Sequence, residues 1–112
     1  MKKLEIIIRP DKLEGLKELL TKNKCQGMTV FNVMGCGKQL GFAGEMGIPN
    51  ATVNLIPKVY VITVTNDDTL EDILHDIVAV IGTGTAGDGK VFVSTIDDTV
   101  RIRTGERGTN AL

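Results

Sequence analysis

The sequence VYVITVT, residues 59–65, opens the part of the chain that decides its fold. It predicts a strand, and the apolar residues that follow between residues 70 and 81 have helical spacing. Gly82 is expected to end this helix, and the apolar run that begins at Val91 predicts a strand over residues 91–94. The second half of the chain therefore predicts a strand, a helix and a further strand.

The first half of the chain repeats this pattern. Residues 4–9 predict a strand, the leucines between residues 13 and 20 have helical spacing, and residues 28–34 predict a second strand. The pairs Asp11–Glu14 and Asp68–Glu71 match capping boxes at the two helix starts. The two halves thus correspond to each other, as in a degenerate internal duplication.

Two such halves predict an α+β fold, namely a ferredoxin-like βαββαβ sandwich with both helices on one face of an antiparallel sheet. The predicted strands carry apolar residues at both parities, so the second face of the sheet is also expected to need a cover. Another copy of the chain is the simplest cover, which predicts cyclic self-association. The strand residues behind this expectation are Ile6, Ile8, Val59, Val61, Phe92 and Val93.

Length and composition indicate a single globular domain. Its 112 residues, 42% of them hydrophobic, suit a single domain over residues 1–112. With 13 basic and 14 acidic residues, no general attraction to nucleic acid or to a membrane is expected. Cys25 and Cys36 are too far apart for a CxxC motif and are expected to be free thiols. No signal-peptide or membrane-spanning apolar run is present, so a cytoplasmic location without membrane insertion is expected.

A glycine-rich stretch between residues 82 and 90 predicts a phosphate site. Glycines let backbone amides approach an anion, and Lys90 with the alternating Arg101 and Arg103 supplies positive charge. The stretch is not a P-loop, because Val91 replaces the Ser or Thr that would hold magnesium and because it leads from a helix into a strand. Each cation alone could be an ordinary surface residue, but together they favour one bound polyanion.

A second glycine-rich segment, about residues 37–55, lies between the halves and has no periodicity. Loops this long in a compact domain are usually functional or disordered, and we expect a binding loop. Its apolar residues predict a hydrophobic contact with a partner; they are Phe42, Met46, Ile48 and Val53.

Five motifs occur in an order and spacing that resemble the nitrogen regulatory P-II signalling family over the whole chain. They are GMTV at 27–30, GCGKQ at 35–39, LIPKV at 55–59, GDGKVFV at 87–93 and VRIRTGE at 100–106. The resemblance implies a homotrimer with ATP or ADP in clefts between neighbouring subunits and 2-oxoglutarate beside Mg²⁺ and ATP. It also implies that the central loop regulates a target, such as an ammonium transporter or a nitrogen-metabolism enzyme.

The resemblance further implies which residues form the site. Residues 87–90 would wrap the phosphates, while Arg101 and Arg103, two apart on a strand of the C-terminal segment 98–112, would face the same side and reach a neighbour's nucleotide. Gln39 would ligate Mg²⁺ through its side-chain oxygen, and 2-oxoglutarate would contact Gln39, Lys58 and Gly87. The implied nucleotide-binding residues are Thr29, Gly35, Gly37, Lys38, Gln39, Val64, Gly87, Asp88, Gly89, Lys90, Arg101 and Arg103.

The chain departs from the family pattern at three positions. Ala51 stands where many bacterial members carry a nucleotidylated tyrosine, so no modification is expected there, and Tyr60 lies in a predicted strand. Gly47 replaces an arginine near the loop tip, which argues against channel blocking by that residue. Ile62 replaces a commonly acidic residue at the nucleotide site.

Two alternatives remain beside a regulator of nitrogen metabolism. One is a related adenylate sensor that serves another pathway, such as nitrogenase or carbon uptake. The other is a small phosphate-handling enzyme, which is disfavoured because no His, Cys or Asp is placed beside the cations as a nucleophile or base. We therefore expect a regulator and not an enzyme.

Overall fold

A computed structural model of the chain describes residues 1–36 and 55–112. Strand β1 (Lys2–Ile8) leads into helix α1 (Leu13–Lys22) and strand β2 (Thr29–Gly35). Strand β3 (Ile56–Thr65) leads into helix α2 (Leu70–Asp76), which continues as a π-helical turn, and then into strand β4. The remaining elements are that π turn (Ile77–Ile81), β4 (Lys90–Thr95) and the 3₁₀ turns Pro10–Lys12, Asp67–Thr69 and Gly108–Ala111.

The four strands form one antiparallel sheet in the order β2-β3-β1-β4. Strand β1 is central, and its Ile6 is paired with Val61 of β3 on one side and with Val91 of β4 on the other. Each helix connects two strands that are separated by a third, which is the βαββαβ connectivity of a ferredoxin-like fold. The predicted α+β fold is confirmed.

The core lies between the sheet and the two helices. Leu4, Ile6 and Ile8 alternate along β1 with their side chains buried on the helix face. They pack in one cluster with buried residues of β3 and of both helices, including Leu16 and Ile73. Burial of this apolar surface is the main stabilising contribution to the fold.

The opposite, open face of the sheet has a different composition from the one expected. Of the residues quoted as apolar on both parities, only Phe92 lies on this face, because Val93 is paired with buried Leu4 and the other four are in the core. Other apolar residues provide the exposed surface, and Phe31 and Phe92 are each about half exposed. The apolar residues of the open face are Ile7, Phe31, Val33, Ile56, Tyr60, Ile62, Val64 and Phe92.

The capping-box predictions are wrong. Both helices are preceded by a 3₁₀ turn, and no side chain caps either start. The turns are closed by backbone hydrogen bonds, from Lys12 N to the Arg9 oxygen and from Thr69 N to the Asn66 oxygen, so Asp11 and Asp68 lie inside the turn rather than at a cap.

The end of the second helix was predicted correctly at Gly82, but its apolar stripe was not. In the π turn, Ile77 and Ile81 are buried while Val78 is 75% exposed, although Val78 was expected in the stripe. Gly82 is required by space, since an added Cβ would lie 2.6 Å from the carbonyl oxygen of Val78.

Candidate functional site

The glycine loop, residues 83–89, joins the sheet where β1 ends. Gly89 has a φ of +106°, and an added Cβ would lie 1.8 Å from the carbonyl oxygen of Ile7. Only glycine therefore permits this approach of loop to strand. The contact fixes the loop beside the last residues of β1 and the first residue of β4.

The Asp88 carboxylate organises the first part of this loop. It accepts hydrogen bonds from the backbone amides of Thr83 (2.7 Å) and Gly84 (2.9 Å) and from the Thr83 hydroxyl (2.5 Å). These bonds, with the Thr83 hydroxyl contributing most, hold the pKa of Asp88 well below its ordinary value. The side chain of this predicted nucleotide-binding residue is therefore engaged within the loop.

Two cations hold the loop from outside, one directly after β1 and one within β3. Arg9 donates to Asp88 Oδ1 (2.6 Å) and to the Ala86 carbonyl (2.7 Å). Lys58 of β3 donates to the Gly87 carbonyl (2.7 Å). Lys58 was predicted from the sequence but Arg9 was not, because no motif marks a residue that meets its partner 79 positions further along the chain.

The loop forms one wall of a cleft with a volume of about 390 Å³ on the open face. Lys58 and Lys90 bring two ammonium groups to it, and the neighbouring wall is apolar. Amides, cations and an apolar wall together suit an anion attached to a flat apolar group. The lining residues are Ile7, Gly35, Cys36, Ile56, Lys58, Ala86, Gly87, Gly89, Lys90 and Phe92.

Other predicted site residues lie at the opposite end of the sheet. Lys90 is paired with Ile7, whereas Thr95, where the chain leaves β4 for its C-terminal segment, is paired with Lys2. From Ile7 to Lys2 an antiparallel strand covers about 17 Å at ~3.4 Å per residue. Val64 is on the open face beside the Lys2 end, because it is paired with Lys3. Thr29 is paired with Ile62 and is therefore level with Glu5, near the middle of β1.

The expectation that Arg101 and Arg103 alternate on a strand is wrong. The C-terminal segment forms only an isolated bridge between Val100 and Arg107, and Arg103 lies in the turn between them. The Arg101 carbonyl accepts from the Gly105 amide (2.7 Å) and closes this turn. The Arg101 guanidinium donates to Glu106 (2.8 Å) and to the carbonyls of Asn110 and Leu112. Local turn formation around the glycines has replaced the expected strand.

Several predicted residues lie outside the described part of the chain. They are Gly37, Lys38 and Gln39 of the nucleotide site, Ala51 at the position of the family's tyrosine, and the apolar loop residues Phe42, Met46, Ile48 and Val53. Within residues 1–36 and 55–112, no cluster of three or more His, Cys, Asp or Glu side chains could hold a metal ion. The helices of these same residues include none that is both apolar enough and long enough to cross a bilayer.

Comparison with known proteins agrees with the motifs. A sequence model of the family Nitrogen regulatory protein P-II matches residues 1–106. The chain is 43% identical over 112 residues to Nitrogen regulatory protein P-II 2 of Methanothermobacter thermautotrophicus, covering all of this chain and 97% of the relative. It is also 43% identical to Nitrogen regulatory protein P-II of Mesorhizobium japonicum and 40% identical to that of Nostoc punctiforme, each over the full length of both chains.

These names describe regulatory proteins, which confirms the prediction of a regulator and not an enzyme. The resemblance found in five sequence motifs thus extends over the whole protein. The chain belongs to the nitrogen regulatory protein P-II family.

Proposed function

We propose that the chain binds ATP or ADP at the glycine loop and, together with Mg²⁺ and ATP, 2-oxoglutarate. Through loop 37–55 it would then regulate a nitrogen-metabolism enzyme or an ammonium transporter. The observation that carries the proposal is the convergence of the loop with the Lys58 and Lys90 ammonium groups on one cleft. A polyphosphate is the anion that best matches several amides and two cations.

The phosphates would lie along the second part of the glycine loop. The amides of Thr83 and Gly84 already bind the Asp88 carboxylate, whereas those of Gly87 and Gly89 form no hydrogen bond with residues 1–36 or 55–112. Lys90 is exposed beside them at the start of β4. The positively charged side of the cleft therefore coincides with the free amides.

A homotrimer would complete each cleft. Val64 lies at the opposite end of the sheet from the glycine loop, and Arg101 and Arg103 follow that end, although all three are assigned to the site. Thr29, also assigned to it, lies on edge strand β2, which β3 separates from β1. One chain cannot bring both sets of residues to a single cleft, so a neighbouring copy would have to supply the second set. The exposed apolar side chains of the open face, including Phe31 and Phe92, give such an assembly a surface to bury.

Lys58 would link the effector to the loop. Its ammonium now donates to the Gly87 carbonyl at 2.7 Å, and the two further donors of a lysine could meet a carboxylate of 2-oxoglutarate. Gln39 would ligate Mg²⁺ together with the phosphates. Effector binding would bias the attached loop only through such differential contacts, which makes the response a population shift.

Complementation between two variants tests both the ligand and the shared site. Lys90→Ala removes a loop-end cation and Arg103→Ala removes a tail-end cation, so each homotrimer should bind ATP tenfold or more weakly than the wild-type protein in calorimetry. After the two proteins are denatured and refolded together, about one quarter of the clefts should combine two intact ends if each cleft joins one copy to the next. Those clefts should bind ATP with the affinity of the wild-type protein.

The controls are each variant refolded alone and a mixture of the separately refolded proteins, which should contain no clefts of wild-type affinity. A wild-type chain that is monomeric and indifferent to ATP and ADP would refute the proposal. Recovery of ATP binding without any effect of Mg²⁺ and 2-oxoglutarate would instead identify an adenylate sensor for another pathway.

A further inference from the structure

We propose that Arg9 is a positioning residue that holds the glycine loop in its anion-binding conformation and neutralises the acidic side chain inside it. The inference deepens the proposed nucleotide function and rests on it. Arg9 does not line the cleft among the described residues, so its effect on a bound anion is exerted through the loop.

The backbone of Arg9 is well placed for this role. It has an extended conformation, with φ −65° and ψ 145°, between the end of β1 and Pro10. A following proline disfavours the helical conformation, so this geometry is partly fixed by the sequence itself. The Arg9 side chain is 29% exposed, which leaves it mostly packed against the loop.

The guanidinium holds the loop at two points. One nitrogen donates to the Asp88 carboxylate at 2.6 Å, and another donates to the Ala86 carbonyl at 2.7 Å. The planar guanidinium fixes the relative position of these two acceptors, which lysine with its single ammonium would do less well. The turn between Ala86 and Asp88 is thereby clamped to the end of β1.

The contact with Ala86 also sets the direction of an amide. In a planar trans peptide the carbonyl and the following N–H point in opposite directions. Because the Ala86 carbonyl points to Arg9, the N–H of Gly87 points to the other side of the loop. Gly87 has a φ of +94°, so the chain reverses at this residue while the preceding peptide is held in place.

The contact with Asp88 has an electrostatic consequence. A carboxylate within a phosphate-binding loop would repel the phosphates, and Lys58 and Lys90 are the cations that line the described cleft. Arg9 offsets the charge of Asp88, so both lysines remain effective toward the ligand. Loss of Arg9 would therefore disorder the loop and also reduce the positive potential of the cleft.

The test compares ATP binding and hydrogen exchange in four variants. Arg9→Met should weaken ATP binding about tenfold, as for loss of a charged hydrogen bond, and should speed amide exchange in residues 83–89 of the nucleotide-free protein. Arg9→Lys keeps the charge and should recover part of the affinity. In the double variant Arg9→Met with Asp88→Asn, the removal of the unpaired charge should also recover part of it. The control Lys17→Met removes an exposed cation that is paired with Glu14 and should change neither measurement.

Equal ATP affinity and equal exchange in Arg9→Met and the wild-type protein would overturn the inference. Weaker ATP binding without any rescue by Arg9→Lys or by Asp88→Asn would also overturn it, since general destabilisation would then explain the loss. If the wild-type chain binds no nucleotide, the proposed function fails. The exchange rates of the nucleotide-free protein still decide whether Arg9 holds the loop.

Discussion

Gly89 lies directly against the carbonyl oxygen of Ile7, with no space between them for a Cβ. This contact joins the glycine loop to the central strand, so it ties the geometry of the candidate site to the best-buried part of the sheet. The loop position therefore depends on a single missing side chain.

Gly89→Ala should displace the loop and abolish ATP binding. The positive φ costs about 1–2 kcal/mol for a non-glycine residue, and crowding against Ile7 adds about 1–3 kcal/mol. Urea unfolding measures the loss of stability, and calorimetry measures the loss of ATP binding. Gly84→Ala is the matched control, because Gly84 also has a positive φ but no atom within 4 Å of the added Cβ, so the strain acts there without the clash. Equal behaviour of the two variants would show that space at Ile7 is unimportant.

Lys58→Met should remove the response to 2-oxoglutarate while leaving weaker ATP binding in place. The variant loses the hydrogen bond to Gly87 and the cation proposed to meet the oxo acid. Titration of ATP with Mg²⁺, in the presence and absence of 2-oxoglutarate, gives the measurement. Lys22→Met removes an exposed cation on the helix layer, paired with Asp76, and should retain the wild-type response. An unchanged 2-oxoglutarate effect in Lys58→Met would remove Lys58 from the effector site.

Substitution of Arg101 should lower the stability of the C-terminal segment, whereas substitution of Arg103 should weaken ATP binding with little effect on stability. Arg101→Ala loses contacts to Glu106 and to the C-terminal carbonyls, so it should lower the free energy of unfolding by up to about 1 kcal/mol. Arg103→Ala changes an exposed residue in the turn and should alter stability by less than about 0.5 kcal/mol while weakening ATP binding tenfold or more. Urea unfolding at a fixed subunit concentration and calorimetry compare them. An ATP affinity that Arg103→Ala leaves unchanged would contradict the assigned role.

Acid should weaken the C-terminal segment through Asp98. The Arg107 guanidinium, with the amides of Thr99 and Gly108, holds the pKa of Asp98 below its ordinary value. A lowered folded-state pKa gives stability that is present above the unfolded-state pKa and is lost as the pH falls through the folded-state pKa. Asp98→Asn should therefore lose less thermal stability between about pH 7 and about pH 3 than the wild-type protein. Asp97→Asn, at an exposed neighbouring position, serves as the control, and identical pH profiles for Asp98→Asn and wild type would refute the prediction.

The fold was predictable because its strongest signals are local. Period-two and period-3.6 patterns gave all four strands and both helices to within a few residues. The wrong predictions concern segments in which a local backbone turn forms instead of the side-chain cap or the strand that the sequence pattern indicated. Asp11 matched a capping box but lies within a 3₁₀ turn, and Arg103 matched a strand but lies in a turn.

The site was predictable only where one short motif carries it. GDGK marked the loop, and its glycines and lysine line the cleft. Arg9 was missed because its partner is brought near only when β1 and β4 pair. The separation of Thr29 and Val64 from the loop is likewise a property of strand register, which no single motif reports.

The location of the two parts of the proposed site at opposite ends of β1 has a genetic consequence. If each cleft joins the Ile7 end of one copy to the Lys2 end of the next, a copy damaged at both ends spoils the two clefts that flank it. A defective allele expressed beside an intact one would then inactivate clefts in mixed trimers, and its effect would be dominant.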